Sequence, residues 1–174
     1  MKRLCLVRSA KAGWDDPMMG DFEREITGKG RRNTRSIGSF LKLKGIEPDL
    51  FLSSCALRAQ QTAETLAKAL AYEGKILYLN ELYQSRTERM REMIAAQEES
   101  VKTMVVVGHT PQIQELAQLL GGESIGKFPT SAVACIDLGE IGWEDTLRNG
   151  CGRLEFFVYP KQFKYYMPAS LRGR

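Results

Sequence analysis

The segment Lys2-Arg3-Leu4-Cys5-Leu6-Val7-Arg8-Ser9-Ala10-Lys11-Ala12 contains a short apolar run followed by a basic loop of small residues. The apolar run, Leu4–Val7, is rich in strand-forming side chains and predicts a first strand. Arg8, Ser9 and Lys11 would then emerge together at the carboxyl end of that strand. Because ligands of open α/β sheets bind at the carboxyl ends of the strands, we expect a binding site here.

Short apolar runs recur along the chain and alternate with helical patterns. Each run is apolar at consecutive positions, which is typical of strands covered on both faces. The further runs are Leu50–Leu52, Ile76–Leu79 and Met104–Val107, and the helical patterns are Gly30–Lys44, Leu57–Tyr72, Thr87–Glu99 and Pro111–Leu120. This order predicts a three-layer α/β/α sandwich whose sheet is mainly parallel and whose crossovers are right-handed.

The last third of the chain has a different pattern. Ala132–Leu138 and Arg153–Tyr159 both resemble strands, and the polar segment Gly139–Gly152 joins them. A connection of this length suits an antiparallel pair at the C-terminal edge of the sheet. We expect Trp143, inside the connection, to be a packing anchor. The basic and aromatic tail, Lys161–Arg174, is compatible with a short docked helix or with a free segment.

Composition limits the class of protein. A chain of 174 residues with 43% hydrophobic content predicts one domain with one core. The net charge of +4 favours anionic ligands, but it is not concentrated enough to indicate a nucleic-acid partner. Neither a signal peptide nor a membrane span is visible, so we expect a cytoplasmic protein without a membrane partner. The oligomeric state is left open.

The cysteines show no sign of a metal site. Cys5, Cys55, Cys135 and Cys151 have no CxxC pairing and no ligand spacing, and most lie in or beside apolar segments. We therefore expect buried, reduced thiols, with neither a metal nor a cofactor.

Three separate segments carry residues that suit an anion, and each directly follows an apolar run. Arg8 to Lys11 is the first. Ser53-Ser54 is the second; these serines can cap the next helix, and Arg58 lies in that helix's first turn. Gly108-His109 is the third, where the glycine permits close backbone approach. Arginine offers a planar pair of donors for two phosphate oxygens, so the three segments together predict a phosphate pocket.

Each of these residues taken alone has an ordinary structural explanation. An arginine in a first helical turn is usually a surface residue, a single histidine is usually a hydrogen-bonded structural residue, and two serines before a helix are usually a cap. The functional interpretation of Arg58 and His109 therefore depends on their joint occurrence at three strand ends.

The chain resembles the bacterial phosphohistidine phosphatases of the SixA type, small members of the phosphoglycerate mutase-like histidine phosphatase superfamily. The resemblance extends to about Lys161 and implies a histidine phosphatase domain over 1–160 followed by a tail over 161–174. The motifs that carry it are Leu6-Val7-Arg8-x-Ala10-Lys11, Trp14-Asp15-Asp16-Pro17, Asp21-Phe22-Glu23-Arg24, Ile26-Thr27-x-Lys29-Gly30, Ser53-Ser54-x-Ala56-Leu57-Arg58-Ala59-x-Gln61-Thr62-Ala63-Glu64, Val107-Gly108-His109-x-Pro111 and Phe128-Pro129-Thr130-Ser131-Ala132.

The resemblance implies a role for each matching residue. Arg8, Arg58 and His109 would form the phosphate pocket around a histidine that accepts the phosphoryl group, and Ser131 would border the same site. In this chain the position of that nucleophilic histidine holds Ser9, and His109 is the one histidine in the sequence. The general acid of the larger superfamily is not identified, because no spacing distinguishes Glu81 from Glu88.

A serine changes what the pocket can do. Imidazole is nucleophilic near neutral pH, whereas a serine hydroxyl needs a neighbouring base or a metal to activate it. His109 is the one candidate base, and the resemblance implies that it donates to phosphate oxygens instead. We therefore expect phosphate binding to persist and phosphoryl transfer to be weak or lost.

Three hypotheses remain at this stage. In the first, the protein binds phosphate, phosphohistidine or another phosphorylated small molecule or protein without efficient turnover. In the second, it is an active phosphohistidine phosphatase, either because Ser9 is a constructed substitution or because another residue is the nucleophile. In the third, it is a non-catalytic scaffold for protein interaction; the retained Arg8, Arg58, Gly108 and His109 count against this one.

Overall fold

The computed structural model describes residues 1–14 and 16–164. Six strands form one sheet: β1 (Lys2–Arg8), β2 (Leu50–Ser54), β3 (Ile76–Leu79), β4 (Thr103–Gly108), β5 (Val133–Gly139) and β6 (Arg153–Val158). Four α-helices accompany them: α1 (Gly28–Leu43), α2 (Leu57–Ala69), α3 (Thr87–Ala95) and α4 (Gln112–Gly121). Every strand and helix expected from the sequence is present, with bounds that differ by a few residues.

The strand order is β3-β2-β4-β1-β5-β6. The pairs β1–β4, β2–β4 and β2–β3 are parallel, while β5 pairs antiparallel with β1 and with β6. The predicted mixed sheet with an antiparallel C-terminal edge is therefore confirmed. The order also makes β2, β4 and β1 adjacent, so their carboxyl ends lie side by side at one edge.

Helices cover the sheet on both faces, as a three-layer sandwich requires. On one face, Ile37 and Leu41 of α1 and Leu66 of α2 pack in a fully buried cluster. On the other face, α3 and α4 contribute Ile94 and Leu116 to a second cluster. The central strands are apolar at consecutive positions because both of their faces are buried in this way.

The outer strand β3 departs from the expectation of burial on both faces. Leu77 is 42% exposed and Tyr78 is 37% exposed. An edge strand has a neighbour on one side only, and α2 covers just part of β3. The apolar run therefore predicted more burial than this strand has. Two of the cysteines also differ from expectation: Cys55 and Cys151 are half-buried, whereas Cys5 and Cys135 are buried, and all four are free.

The long connection between β5 and β6 folds back onto the core. Trp143, at the start of a short 3-10 helix over Trp143–Leu147, is fully buried, and its indole Nε1 donates to the Val101 carbonyl at 2.8 Å. Its expected role as a packing anchor agrees with this position. The tail begins with a 3-10 helix over Pro160–Lys164, where Phe163 is buried and its ring lies 5.4 Å from that of Phe40. Residues 165–174 of the tail lie outside the described part of the chain.

Candidate active site

The three segments that the sequence associates with an anion meet in one cavity at the carboxyl ends of β1, β2 and β4. The cavity has a volume of about 140 Å³. Its lining residues come from β1 and the loop after it, from the residue after a short 3-10 helix over Asp21–Glu23, from the first turn of α2, from the segment after β4 and from the turn before β5. They are Arg8, Ser9, Ala10, Ala12, Arg24, Arg58, His109, Thr110 and Thr130. The parallel pairing of β1 and β2 with β4 is what brings them together.

His109 is held between two serine hydroxyls. Its Nε2 lies 2.8 Å from the Ser54 Oγ, and its Nδ1 lies 3.5 Å from the Ser9 Oγ. The side chain is 9% exposed, and burial together with the charge of Arg58 lowers the pKa of His109 to about 4. The imidazole is therefore neutral at physiological pH, with one nitrogen able to donate and the other able to accept.

The two arginines predicted from the sequence both line the cavity, and each is positioned by a backbone carbonyl. Arg8 Nη1 donates to the Phe128 carbonyl at 2.8 Å, and Arg58 Nη1 donates to the Asp21 carbonyl at 2.9 Å. Burial, and secondarily the charge of Arg58, lowers the pKa of Arg8. The positive groups of the cavity thus repel one another in the absence of an anion.

Asp21 neutralises part of this charge from outside the cavity. Its carboxylate Oδ2 lies 3.2 Å from Arg58 Nη2 and accepts a 2.6 Å hydrogen bond from the Tyr83 hydroxyl, while Oδ1 accepts from Arg24 at 3.1 Å. The hydrogen bond from Tyr83 is the main cause that lowers the pKa of Asp21, and the same bond raises the pKa of Tyr83. Asp21 is therefore a charged anchor for two of the three arginines in the lining.

Comparison with known proteins assigns the family. The model of the histidine phosphatase superfamily (branch 1) matches residues 4–83. The phosphohistidine phosphatase SixA of Escherichia coli is 31% identical over 125 residues, which cover 70% of this chain and 78% of the E. coli protein. The chain belongs to the histidine phosphatase superfamily, branch 1. An uncharacterized protein of Mycobacterium tuberculosis is 30% identical over 168 residues, which cover 89% of this chain and all (100%) of that protein.

Solved structures of SixA proteins share the fold of this chain. A SixA protein complexed with tungstate superposes with a TM-score of 0.80 at 26% identity and covers 92% of this chain and 99% of its own. The SixA protein of Agrobacterium tumefaciens gives a TM-score of 0.78 at 31% identity, with 91% and 98% coverage. The expected phosphoglycerate mutase-like architecture is thereby confirmed.

Two residues that were expected at the site, Ser131 and Gly108, do not line the cavity. The Ser131 hydroxyl lies 2.9 Å from that of Thr34, and the neighbouring Thr130 lines the cavity. Ser131 borders the site through its backbone, because its N–H donates to the Arg8 carbonyl at 3.1 Å. At Gly108 an added Cβ would lie 3.1 Å from Ile113 Cγ1, so the glycine permits close packing of α4 rather than approach of a ligand.

The predicted helix cap of Ser53 and Ser54 is wrong. Ala56 occupies the N-cap of α2 and makes no side-chain cap bond. The Ser53 hydroxyl donates to the Ser54 carbonyl, and the Ser54 hydroxyl accepts from the Ala56 N–H at 3.1 Å while contacting His109. Ser54 is thus a hydrogen-bonding neighbour of the histidine.

Sequence reasoning assigned no role to Arg24 and Tyr83. Arg24 donates to the carbonyls of Ala12 and Gly13, at 3.1 and 3.3 Å, and its guanidinium lies 4.2 Å from the centre of the exposed Trp14 ring. The one signal for Arg24 was its place in the motif that follows Asp21. Nothing in the pattern around Tyr83 indicated that its ring would lie 5.6 Å from that of His109.

The described lining contains no carboxylate, and the exposed side chains of Glu81 and Glu88 are not part of it. Within residues 1–14 and 16–164, no group of three or more histidine, cysteine or acidic side chains could hold a metal ion. No helix in the same residues is long and apolar enough to cross a membrane.

Proposed function

We propose that this histidine phosphatase family protein binds phosphate, or a phosphoryl group on a histidine or another residue or small molecule, and that its phosphatase turnover is weak or lost. The observation that carries the proposal is the cationic cavity with Ser9 at its floor. Arg8, Arg24 and Arg58 line it, and none of the described lining residues is acidic. Arginine donors in a partly buried site favour a tetrahedral oxyanion over a neutral ligand.

The environment of Ser9 supports weak turnover. Ser9 is 4% exposed, its N–H donates to the Gly108 carbonyl, and the nearest base, His109 Nδ1, is 3.5 Å from its Oγ. An imidazole whose pKa is about 4 is a weak base, so transfer of the proton from a hydroxyl of far higher pKa to it is strongly unfavourable. The pocket can therefore hold a phosphoryl group without an efficient nucleophile.

Binding is tested by isothermal titration of the full chain with phosphate and with tungstate, the oxyanion found with a SixA protein of the same fold. We expect saturable binding that Arg58→Ala weakens by roughly 10-fold or more, because a charge-assisted contact contributes about 1.5–3 kcal/mol. Arg35→Ala, on the exposed part of α1 and outside the cavity, is the matched control and should leave the affinity unchanged. Absence of binding, or equal loss in both variants, would favour the scaffold hypothesis.

Turnover is tested with a phosphohistidine peptide and a generic phosphomonoester. We expect little hydrolysis by the chain as it stands and a large gain in Ser9→His, since imidazole supplies the nucleophile that the pocket lacks. Failure of Ser9→His to hydrolyse either substrate, while still binding phosphate, would show that more than the nucleophile separates this chain from an active phosphatase.

One observation favours the alternative of an active enzyme. Ser9 and His109 form a nucleophile–base pair at near hydrogen-bond distance, 3.5 Å, and such distances often shorten when substrate is bound. If this pair works, the unmodified chain turns over substrate, His109→Ala abolishes that turnover, and mass spectrometry finds a phosphoryl group on Ser9 after rapid quenching. These three results together would replace the proposal of weak turnover.

A further inference from the structure

A second and larger depression lies next to the phosphate cavity, and Thr130 lines both. This groove has a volume of about 660 Å³, against about 140 Å³ for the cavity. The segment Phe128–Thr130 forms the wall between them, and the hydrogen bond from Arg8 to the Phe128 carbonyl holds that wall in place. A ligand with its phosphoryl group in the cavity can therefore extend over Thr130 into the groove.

The charge on the rim of the groove is of one sign. Lys29, Lys127 and Lys161 lie on three different segments, and all three are exposed. None of them forms an ion pair with another described residue, and the described lining of the groove includes no carboxylate. The rim is thus complementary to an anionic ligand.

The floor of the groove is apolar and partly uncovered. Leu154, Phe157 and Tyr159 are half-buried, and the rings of the two aromatic residues lie 5.8 Å apart. Phe157 also packs against Phe128 at 5.1 Å, so the floor is continuous with the wall of the cavity. This volume lies within the range that is typical of ligand-binding pockets. It is far larger than the volume of one phosphoryl group.

We propose that the groove binds an acidic polypeptide segment with apolar side chains, adjacent in sequence to the phosphorylated residue whose phosphoryl group occupies the cavity. This inference rests on the proposed function. A polypeptide fits because the groove borders β6, an edge strand that pairs only with β5 in the described sheet and has a free edge for an extended chain. The lysines then select acidic side chains, and the apolar floor takes the aliphatic ones.

The chain's own tail is the competing occupant, since its first residue, Lys161, lines the groove. Residues 165–174 contain two arginines and no acidic residue, so they carry the same sign of charge as the rim. Charge therefore favours a separate acidic partner over the tail.

The test compares three phosphoserine peptides of equal length with acidic, neutral and basic flanks, measured by fluorescence anisotropy at low ionic strength. We expect the acidic peptide to bind the full chain roughly 10-fold tighter than the neutral one, because each exposed ion pair contributes about 0.2–1 kcal/mol. Raising the salt concentration should reduce that preference, since exposed charges are screened.

Two charge-reversal variants separate a local effect from the total charge. The groove variant carries Lys29→Glu, Lys127→Glu and Lys161→Glu. The matched control carries Arg35→Glu, Lys42→Glu and Lys68→Glu in a different groove, between α1 and α2. These substitutions change the net charge by the same amount. The groove variant should lose the preference for the acidic peptide and keep its affinity for inorganic phosphate, and the control should retain both.

Equal loss of the preference in the two variants would overturn the proposal, as would absence of any preference in the unmodified chain. If only the full-length double variant Tyr165→Ser, Tyr166→Ser prefers the acidic peptide, the tail occupies the groove in the unmodified chain. That result would also overturn the proposal. The phosphate titration distinguishes the two proposals. If the chain binds phosphate but shows no preference for acidic flanks, only the proposed role of the groove is wrong. If it binds an unphosphorylated acidic peptide through the lysines but does not bind phosphate, only the proposed phosphate-binding function is wrong.

Discussion

Acidification from pH 7 to pH 4.5 should destabilise the folded protein through His109, the one histidine in the chain. Burial and the charge of Arg58 lower its folded-state pKa from 6.5 to about 4. The unfolded chain therefore takes up the proton first as the pH falls. The stability associated with the neutral imidazole is fully present above pH 6.5 and is lost as the pH falls from 6.5 towards 4.

The size of the effect follows from the two pKa values. A difference of one unit corresponds to about 1.4 kcal/mol, so the shift of His109 amounts to about 3 kcal/mol in full. About 2 kcal/mol of this is lost between pH 7 and pH 4.5, because the folded state remains mostly unprotonated at the lower pH. In His109→Gln the free energy of unfolding should lack this pH-dependent contribution. The difference in unfolding free energy between the unmodified protein and His109→Gln should therefore become about 2 kcal/mol smaller between pH 7 and pH 4.5.

The protonation of His109 can also be followed directly. The chain without a histidine tag gives a single imidazole Cε1–H resonance in NMR, whose midpoint on titration is the pKa itself. We expect a midpoint near 4 in an oxyanion-free buffer. Arg58→Gln should raise it, because it removes a nearby positive charge, and Asp21→Asn should lower it, because the Asp21 carboxylate favours the imidazolium.

A bound oxyanion should raise the same midpoint, since it neutralises the charges of Arg8 and Arg58. Urea denaturation at the two pH values supplies the independent measure of stability. A midpoint between 6 and 7, or parallel pH profiles of unfolding for the unmodified protein and His109→Gln, would refute the description of His109 as a buried residue kept neutral by burial and by the charges of Arg58 and Arg8.

Two further predictions concern the packing that supports the site. Trp143→Phe should lower the free energy of unfolding by about 1–3 kcal/mol in urea denaturation, because it leaves the partly buried Val101 carbonyl without the indole donor at 2.8 Å; an unchanged midpoint would contradict that role. Gly38→Leu should cost about 1–3 kcal/mol or more by overpacking, since even a Cβ at Gly38 would lie 2.5 Å from the Ala69 Cβ and force α1 away from α2. Gly126→Ala, where an added Cβ meets nothing within 4 Å, is the control and should be nearly neutral; equal losses in the two variants would show that loss of glycine, not helix packing, is responsible.

Much of the fold was predictable because apolar patterning depends on local periodicity. The runs that became β1 and β4 are apolar at consecutive positions since helices cover both of their faces. The same rule was wrong for β3, where Leu77 and Tyr78 are partly exposed. A periodic pattern records which residues are apolar, but it does not say whether a strand lies at the centre of a sheet or at its edge.

The site was predictable to the extent that strand ends in a parallel sheet share one edge. Arg8, Arg58 and His109 follow three strands of one sheet, and they line one cavity. Arg24 was missed because it lies on a loop without periodicity. Tyr83 was missed because its contact with Asp21 joins residues that are 62 positions apart in the chain. Ser54 was assigned to the helix end because local rules cannot detect a histidine 55 residues away.

The sequence by itself determined the family and the order of strands and helices along the chain, since these are properties of residue identity and local spacing. Only the tertiary structure decided the protonation state of His109, its place between Ser9 and Ser54, and the position of the cavity beside the lysine-rimmed groove. Burial and Coulomb interactions depend on distances between segments that are remote in the chain, and only folding sets those distances.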